Sequence, residues 1–544
     1  MTNASLPATG PSRADFQGSA HRDSRTTGMR QLWGSLLVAT LAVLALWSVA
    51  DHFEPDRLHL HGLGARLNDQ AGYVTTARIL ADTGELRSGL VLPAFADHPA
   101  SRVYMPGHYV MLALSYKLFG YSVGASLLPN LVAFVLAAVG VFLIGARRYG
   151  APAGIAAALF TIAFPPNLVF AFTAMAEGTI LAVGVAAFCV FNLIGPRARL
   201  VSAPFLVAAS FLFRETGALW VIPMVLVVLH ESRDRRWRRA TMLALATVAV
   251  VFAVQRWQLA SGKEAPPLTW LTGDGFNYGD AQAVAGSPDS IAPFEFLGLV
   301  WTNLTRNVES LVEHVLMGSA RFERGSVFAL IAIVVSTLVM AVARIRRDPL
   351  PLAAAGLALA TWALAFGLYD VIGLKLVRSS MFFVPLCAIA LAGGVSELLD
   401  RVRPRAAWTL PLLLLASLVT WFGWSAPASR GAGLEVVAGD DEADAALRIV
   451  SQLGHDESTL LVAPWPLGMQ YAVARYPALY SFPVDNAATL RLLAEHHSIG
   501  TLIVRPNGMG DVTPRVLRGA GLAPMGQLAG AGESTQYVVF QRPR

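Results

Sequence analysis

Long apolar segments recur along this chain and are separated by short connections that carry arginine. About 20 apolar residues, at about 1.5 Å per residue, cross the 30 Å hydrocarbon core of a typical bilayer. The chain is 55% hydrophobic and only 14% charged, a balance that an ordinary soluble domain does not have. We therefore predict an α-helical, polytopic membrane protein. Its expected spans are 32–50, 125–145, 151–166, 177–195, 201–213, 216–230, 240–256, 326–343, 351–370, 381–398 and 407–424.

The arginines between spans indicate the orientation of the chain. They fall in every second connection, at Arg147 and Arg148, Arg197 and Arg199, 233–239, Arg344 to Arg347, and Arg401 to Arg405. Cytoplasmic loops carry such an excess of positive charge, so the formal net charge of +6 is an orientation signal and not a nucleic-acid site. We expect a bacterial inner membrane protein with a cytoplasmic N-terminus, an extracytoplasmic C-terminus, and external loops at 51–124 and 257–325.

The composition divides the chain into three parts. Residues 1–30 are polar and without apolar periodicity, which predicts a disordered cytoplasmic tail. Residues 31–428 form the transmembrane domain with its external loops. Residues 431–544 have the pattern of a soluble α/β domain, either three-layered or a sheet covered on one face. Its predicted helices are 441–453 and 486–496, and its predicted strands are 459–463, 500–505 and 536–540.

Two spans have alternative interpretations. The first ends in Ser48-Val49-Ala50, which also fits the cleavage site of a signal peptide, but its length favours an uncleaved helix. The segments on either side of Arg214 are short, and they form either two spans or one bent or re-entrant element. The pair Arg214-Glu215 between them is either a salt-bridged turn or part of a functional site.

The first external loop contains two helical patterns. Asp69 precedes a pattern with Tyr73 and Ala77 on one face that stops near Gly84, so Asp69 is either a helix N-cap or a reactive carboxylate. After Tyr104-Met105-Pro106-Gly107-His108-Tyr109, a second amphipathic helix places Tyr109, Leu112, Ala113, Tyr116 and Phe119 on one face. We expect this second helix to lie along the outer membrane surface.

The order of these elements resembles that of a known superfamily: one span, Asp69 with Tyr73 four residues on, an Ala-Arg-Ile-Leu-Ala helix, the Pro-Gly-His-Tyr turn, an interfacial helix ending in Lys-Leu-Phe-Gly, and the next span. The chain is similar to GT-C glycosyltransferases that use polyprenyl-phosphate sugars, especially the bacterial relatives of protein O-mannosyltransferases and of the lipid A aminoarabinose transferase. The resemblance runs from about residue 32 to 200 and returns near 374–398.

The resemblance implies specific roles. Asp69 matches the acidic residue that serves as catalytic base, although Gln70 stands where many members have a second acid. Lys375 and Arg378 match the basic residues placed near the lipid phosphate, which an arginine can bind through two parallel N–H bonds. Glu177 matches a second acidic position. The remaining candidates near the site are His108, Tyr73 and Arg102.

Other chemistries lack sequence support. Cys189 and Cys387 lie inside apolar segments, so we predict neither a disulfide nor a cysteine metal site. The sequence has no His-Glu-x-x-His, Gly-x-x-x-x-Gly-Lys or Gly-x-Ser-x-Gly motif. We expect no required cofactor and no metal, and a divalent cation has no motif in its favour.

The leading hypothesis is an inverting glycosyltransferase. It takes a sugar from a polyprenyl-phosphate donor and transfers it to the hydroxyl of an extracytoplasmic glycan, lipid or protein. Membrane lipids are further partners, and nucleic acid is not. The alternatives are a multi-spanning transporter or lipid flippase, which usually shows two related halves, and a non-catalytic envelope assembly protein.

Overall fold

The structure is a computed structural model, and it describes most of the membrane domain and part of the C-terminal sheet. The described residues are 28–29, 31–48, 69–86, 105–231, 236–260, 298, 301, 304–305, 321–368, 379–403, 406–417, 460–463, 478–480, 490–491, 494, 499–504, 513–529 and 536–543. Most of the predicted tail and of the loop 257–325 lies outside them.

Helices dominate the described part of the chain. In chain order they are α1 Gln31–Ser48, α2 Asp69–Thr83, α3 Pro106–Phe119, α4 Val123–Tyr149, α5 Ala151–Ala163, α6 Pro165–Ala171, α7 Ala176–Leu193, α8 Pro196–Phe211, α9 Val221–Glu231, α10 Arg236–Ala260, α11 Arg321–Arg344, α12 Leu350–Leu368 and α13 Val384–Val402. Short 3₁₀ helices span Glu215–Trp220 and Ala406–Trp408. By length and composition, α1, α4, α7 and the segment Arg236–Val254 of α10 can cross a membrane.

Proline divides one predicted span. We expected a helix over 151–166, but α5 ends at Ala163 and α6 begins at Pro165. The residue before a proline is disfavoured in the helical conformation, and Phe164 has a ψ of 111°. The chain therefore turns at the outer end of α5 before it enters α7.

Ion pairs join the predicted cytoplasmic connections to one another. Arg148 contacts Asp348 at 3.2 Å and Glu231 at 3.7 Å, and Arg199 contacts Glu231 at 2.5 Å. The hydroxyl of Tyr149 donates to Asp348. These residues come from four different connections, so the structure places the four connections on one face of the helical domain. This agrees with the prediction from the arginine pattern, while the identity of that side stays a prediction.

The segments around Arg214 form a helical hairpin. Arg199 lies near the start of α8 and contacts Glu231 at the end of α9, so both helices have these ends on the same face. Residues 212–216 therefore form a corner at the opposite, predicted outer face. A single bent element is therefore excluded, while the choice between two spans and a re-entrant hairpin stays a prediction.

Helix α3, which the sequence predicts to lie along the membrane surface, is apolar on two faces. Tyr109, Leu112 and Tyr116 are buried against the helical domain as predicted. Phe119, which we placed on the same face, is 63% exposed, because α3 ends there and Gly120 turns the chain away with a φ of 76°. The exposed face carries Val110, Met111, Leu114 and Leu118. Such a surface suits contact with lipid.

The C-terminal sheet has five described strands, β1 Leu460–Ala463, β2 Ala478–Tyr480, β3 Ile499–Val504, β4 Ala523–Ala529 and β5 Gln536–Gln541. Their order is β2-β1-β3-β5-β4, with β1 parallel to β2 and β3, and β5 antiparallel to β3 and β4. The three predicted strands are present within one residue of their expected bounds, while β2, β4 and α14 (Pro514–Gly519) were not predicted. Predicted helix 441–453 lies outside the described residues.

Strand β3 indicates how the sheet is covered. Leu502 and Val504 pack in a cluster with residues of α14, while Thr501 and Ile503, which point to the other face, are also buried. Burial on both faces favours the three-layer alternative. The domain boundaries 431–544 stay a prediction.

Small residues bring the membrane helices close together. A Cβ on Gly184 of α7 would lie 1.9 Å from Nε1 of the buried Trp220, and one on Gly145 would lie 2.8 Å from the backbone of Gly154. Lipid supplies no hydrophobic force between helices, so their association depends on such close packing.

We expect Gly184→Ala to destabilise the protein by about 1–3 kcal/mol, because the added methyl group overlaps the Trp220 ring in a packed core. Gly124→Ala is the matched control in α4, since nothing lies within 4 Å of its Cβ position. Thermal unfolding in detergent compares the two variants. Equal melting temperatures would contradict the packing described here.

Candidate active site

The turn between α6 and α7 is held by a side chain from α4. Nδ2 of Asn130 donates to the carbonyl oxygens of Thr173 at 2.7 Å and Met175 at 2.6 Å. Gly178 makes room for this contact, because a Cβ there would lie 2.7 Å from Oδ1 of Asn130. The first turn of α7, which carries Glu177, therefore starts from a fixed backbone.

Glu177 and Arg214 form an ion pair at this point. The side chain of Glu177 is fully buried, and Nη1 of Arg214, from the hairpin corner, donates to its Oε1. Arg214 thus contacts a residue 37 positions away in sequence, and the salt bridge with its neighbour Glu215 that the sequence allowed is not the one formed. A buried carboxylate is costly unless it is paired, so this contact fixes α7 against the corner.

His108 connects α3 to the same turn. Its Nε2 lies 2.9 Å from the carbonyl oxygen of Ala174, and its Nδ1 lies 2.9 Å from Oγ1 of Thr179. A carbonyl only accepts, so Nε2 carries the proton. The Thr179 hydroxyl also lies 2.9 Å from the carbonyl oxygen of Ala176, and its single proton goes to Nδ1 when the ring is neutral. Burial lowers the pKa of His108 to about 4, which outweighs the opposing effects of the Ala174 carbonyl and of Glu177. The ring is neutral at physiological pH.

Two further contacts extend this cluster, which so far consists of Asn130, Glu177, Arg214, His108 and Thr179. The ring of Tyr73 in α2 meets the ring of His108 edge to face, with centroids 5.0 Å apart. The N–H of Gly107 donates to the carbonyl oxygen of Leu212 at 2.8 Å, and a Cβ on Gly107 would lie 2.9 Å from that oxygen. Helices α3 and α7 therefore meet the hairpin corner, and α2 packs on α3.

The structure unites three of the predicted site residues, Glu177, His108 and Tyr73. Asp69 is the first residue of α2, one helical turn before Tyr73, and its side chain is outside the described part of the structure. Lys375, Arg378 and Arg102 also lie outside the described residues. Their roles stay predictions.

Arg214, Asn130 and Thr179 are members of the cluster that sequence reasoning did not place there. Asn130 offered a signal, because it is an amide inside an otherwise apolar segment. The partner of Arg214 offered none, because nothing local connects it to Glu177.

The chemistry open to His108 is limited by its contacts. Both ring nitrogens bond to the protein, and the side chain is fully buried, so His108 holds α3 and the turn in place and is not a proton donor to a substrate. Within the described ranges, no group of three His, Cys, Asp or Glu side chains is arranged to hold a metal ion.

The neutral state of His108 predicts a dependence of stability on pH. The pKa of this group is about 4 in the folded protein and 6.5 ordinarily, so the unfolded chain binds the proton more tightly. The free energy of unfolding should therefore fall as the pH decreases from about 6.5 to 4, by up to about 3 kcal/mol. Unfolding across this range should show a smaller decrease in His108→Gln than in the wild type. Parallel curves would contradict the neutral assignment.

The ion pair between Glu177 and Arg214 predicts that changing Arg214 alone costs more stability than changing both residues. Arg214→Met leaves Glu177 buried without this cation, and we expect a loss of about 3–5 kcal/mol of stability. Glu177→Gln combined with Arg214→Met should recover part of that loss, because the uncompensated charge is gone. Arg401→Met, which removes the more exposed pair with Glu397, should cost less than about 1 kcal/mol in the same thermal assay. A double variant less stable than Arg214→Met would contradict the pairing.

Comparisons with known proteins agree with the fold expected from the sequence. A family model described as dolichyl-phosphate-mannose-protein mannosyltransferase matches residues 97–257, which include His108, Glu177 and Arg214. No curated protein matches the sequence at a significant level.

Two solved structures align over nearly the whole chain. ArnT from Cupriavidus metallidurans in the apo state has a TM-score of 0.56 at 15% identity, over 94% of this chain and 98% of that one. The same protein bound to undecaprenyl phosphate has a TM-score of 0.52 at 16% identity, over 93% of this chain and 97% of that one. The resemblance found in the sequence is thereby confirmed: the chain has the GT-C fold, and the comparisons support a multi-pass membrane glycosyltransferase.

Proposed function

We propose that this protein transfers a sugar from a polyprenyl-phosphate donor of the undecaprenyl type to an acceptor hydroxyl outside the bacterial inner membrane. The acceptor is an extracytoplasmic glycan, lipid or protein. The N-terminus is cytoplasmic and the C-terminus extracytoplasmic. The matched family model and the similarity in fold to an ArnT structure that contains undecaprenyl phosphate support this proposal.

One observation carries the proposal for the site. The helix that begins at Asp69 packs through Tyr73 on His108, which in turn bonds to the turn that precedes Glu177. A catalytic carboxylate needs a fixed position, and the packed cluster beneath α2 supplies a rigid support. Asp69 is the first residue of α2 and precedes Tyr73 by one helical turn, which supports placing it next to this cluster.

The proposed reaction is a single displacement with inversion. The acceptor oxygen attacks the anomeric carbon of the donor sugar while the bond between that carbon and the phosphate oxygen breaks. Asp69 takes the acceptor proton, and the polyprenyl phosphate leaves with the bonding electrons. Lys375 and Arg378 bind the departing phosphate and stabilise its developing charge.

We expect Asp69→Asn to lower the transfer rate by about 10²- to 10⁴-fold, because the amide cannot accept the acceptor proton. Purified protein in lipid nanodiscs is assayed with a panel of undecaprenyl-phosphate sugars, and release of undecaprenyl phosphate is measured. Asp82→Asn, a second acid on α2, is the matched control and should keep near-wild-type turnover.

Three results would contradict the proposal. Near-normal turnover of Asp69→Asn would refute the assignment of the base. Transport of a sugar or lipid into vesicles without any transfer would favour a transporter or flippase. Full function of a variant unable to turn over any donor would favour an envelope assembly protein.

A further inference from the structure

The hairpin corner carries a second acid that the ion pair does not use. Glu215 follows Arg214 directly and opens the 3₁₀ helix Glu215–Trp220. One of the two interpretations of the sequence pairs it with its neighbouring arginine, but Arg214 contacts Glu177. A salt bridge between sequence neighbours therefore does not explain the acid at this position.

Glu215 and Thr216 each have a buried oxygen without a hydrogen-bond partner in the described part of the protein, Oε1 of the glutamate and Oγ1 of the threonine. An unsatisfied buried polar atom costs about 1–3 kcal/mol, so such atoms are rare in folded proteins. Two of them on adjacent residues therefore require an explanation.

The threonine differs from four buried threonines within the regular membrane helices. Thr161, Thr247, Thr337 and Thr361 each donate to the carbonyl oxygen four residues back in their own helix. For Thr216 that residue is Leu212, whose carbonyl oxygen accepts instead from the N–H of Gly107. The break in the helix leaves the Thr216 hydroxyl available to another molecule.

The environment of the glutamate suits a neutral polar ligand. Burial raises the pKa of Glu215, and this effect is larger than the opposing effects of a hydrogen bond to its own backbone and of Arg214. A carboxyl oxygen accepts hydrogen bonds, and the hydroxyl of Thr216 both donates and accepts them. Groups of this kind match the hydroxyls of a sugar better than they match a cation.

The corner is also rigid and adjacent to the cluster. A Cβ on Gly217 would lie 2.2 Å from the carbonyl oxygen of Ser210, so the chain there is packed against α8. Gly107 bonds the corner to α3, and Arg214 bonds it to α7. Groups that must recognise a small ligand need such fixed positions.

We propose that Glu215 and Thr216 form a subsite that binds hydroxyl groups of the donor sugar. This inference rests on the proposed function, because it assigns part of the donor to a second place in the same site. It also gives the corner a role in selecting which sugar is transferred.

The test compares lipids with and without a sugar. Full-length protein in nanodiscs is titrated, without acceptor, with undecaprenyl phosphate and with undecaprenyl phosphate carrying mannose, glucose or aminoarabinose. The wild type should bind one sugar lipid more tightly than undecaprenyl phosphate. Glu215→Leu should raise the Kd of that sugar lipid about 5- to 30-fold, and Thr216→Val about 3- to 10-fold, with no change for undecaprenyl phosphate.

Two controls separate recognition from folding. Glu215→Gln keeps an accepting oxygen and should bind the sugar lipid within about threefold of the wild type. Thr247→Val makes the same change as Thr216→Val at a threonine bonded to its own helix, and it should not affect binding. Glu215→Leu removes an unsatisfied group, so its melting temperature should not fall.

Distinct results would overturn the inference. Equal affinity of the wild type for the sugar lipids and undecaprenyl phosphate, or equal weakening of both by Glu215→Leu, would refute the subsite and leave the proposed function standing. Unchanged sugar-lipid binding in both variants would do the same. Failure of the wild type to bind any of these lipids would refute the proposed function as well.

Discussion

The ion pair between Glu177 and Arg214 is the contact on which the outer end of the helical domain depends. A buried carboxylate cannot remain without a cation, so α7 and the hairpin corner must meet. Their meeting fixes the first turn of α7, and His108 and Asn130 then hold the preceding turn from two other helices. Helix α2, which carries the proposed base, packs on the result through Tyr73.

The two faces of the helical domain use charge differently. At the predicted cytoplasmic face, several partly exposed pairs, such as Arg148 with Asp348 and Arg199 with Glu231, join connections to one another. At the opposite, predicted outer face, one pair is buried and lies near hydrogen bonds to main-chain carbonyls. Between them the helices approach through glycine, as at Gly140 of α4, where a Cβ would lie 2.7 Å from the side chain of Val185 in α7. Polar contacts thus fix both ends of a domain whose middle is held by packing.

The sequence predicted what depends on local pattern. The lengths of the apolar segments predicted the bounds of α4, α7 and α12 within a few residues, and the pattern typical of strands predicted β3 and β5. Strand β4, with the sequence Ala-Pro-Met-Gly-Gln-Leu-Ala, was missed because proline and glycine are poor strand formers. The partner of Arg214 was missed because it depends on how distant helices pack. His108 was predicted to lie near the site, and its two hydrogen bonds to the protein indicate that it acts as a support.

The turn between α6 and α7 is held by side chains from two other helices. Those of Asn130 and His108 bond to the carbonyl oxygens of residues 173, 174 and 175, groups that every amino acid possesses. Within the turn, the hydroxyl of Thr173 adds a bond to the carbonyl oxygen of Phe170. The path of the turn therefore depends on distant residues of α3 and α4 as well as on its own sequence, and a single substitution at Asn130 removes two of its anchors at once.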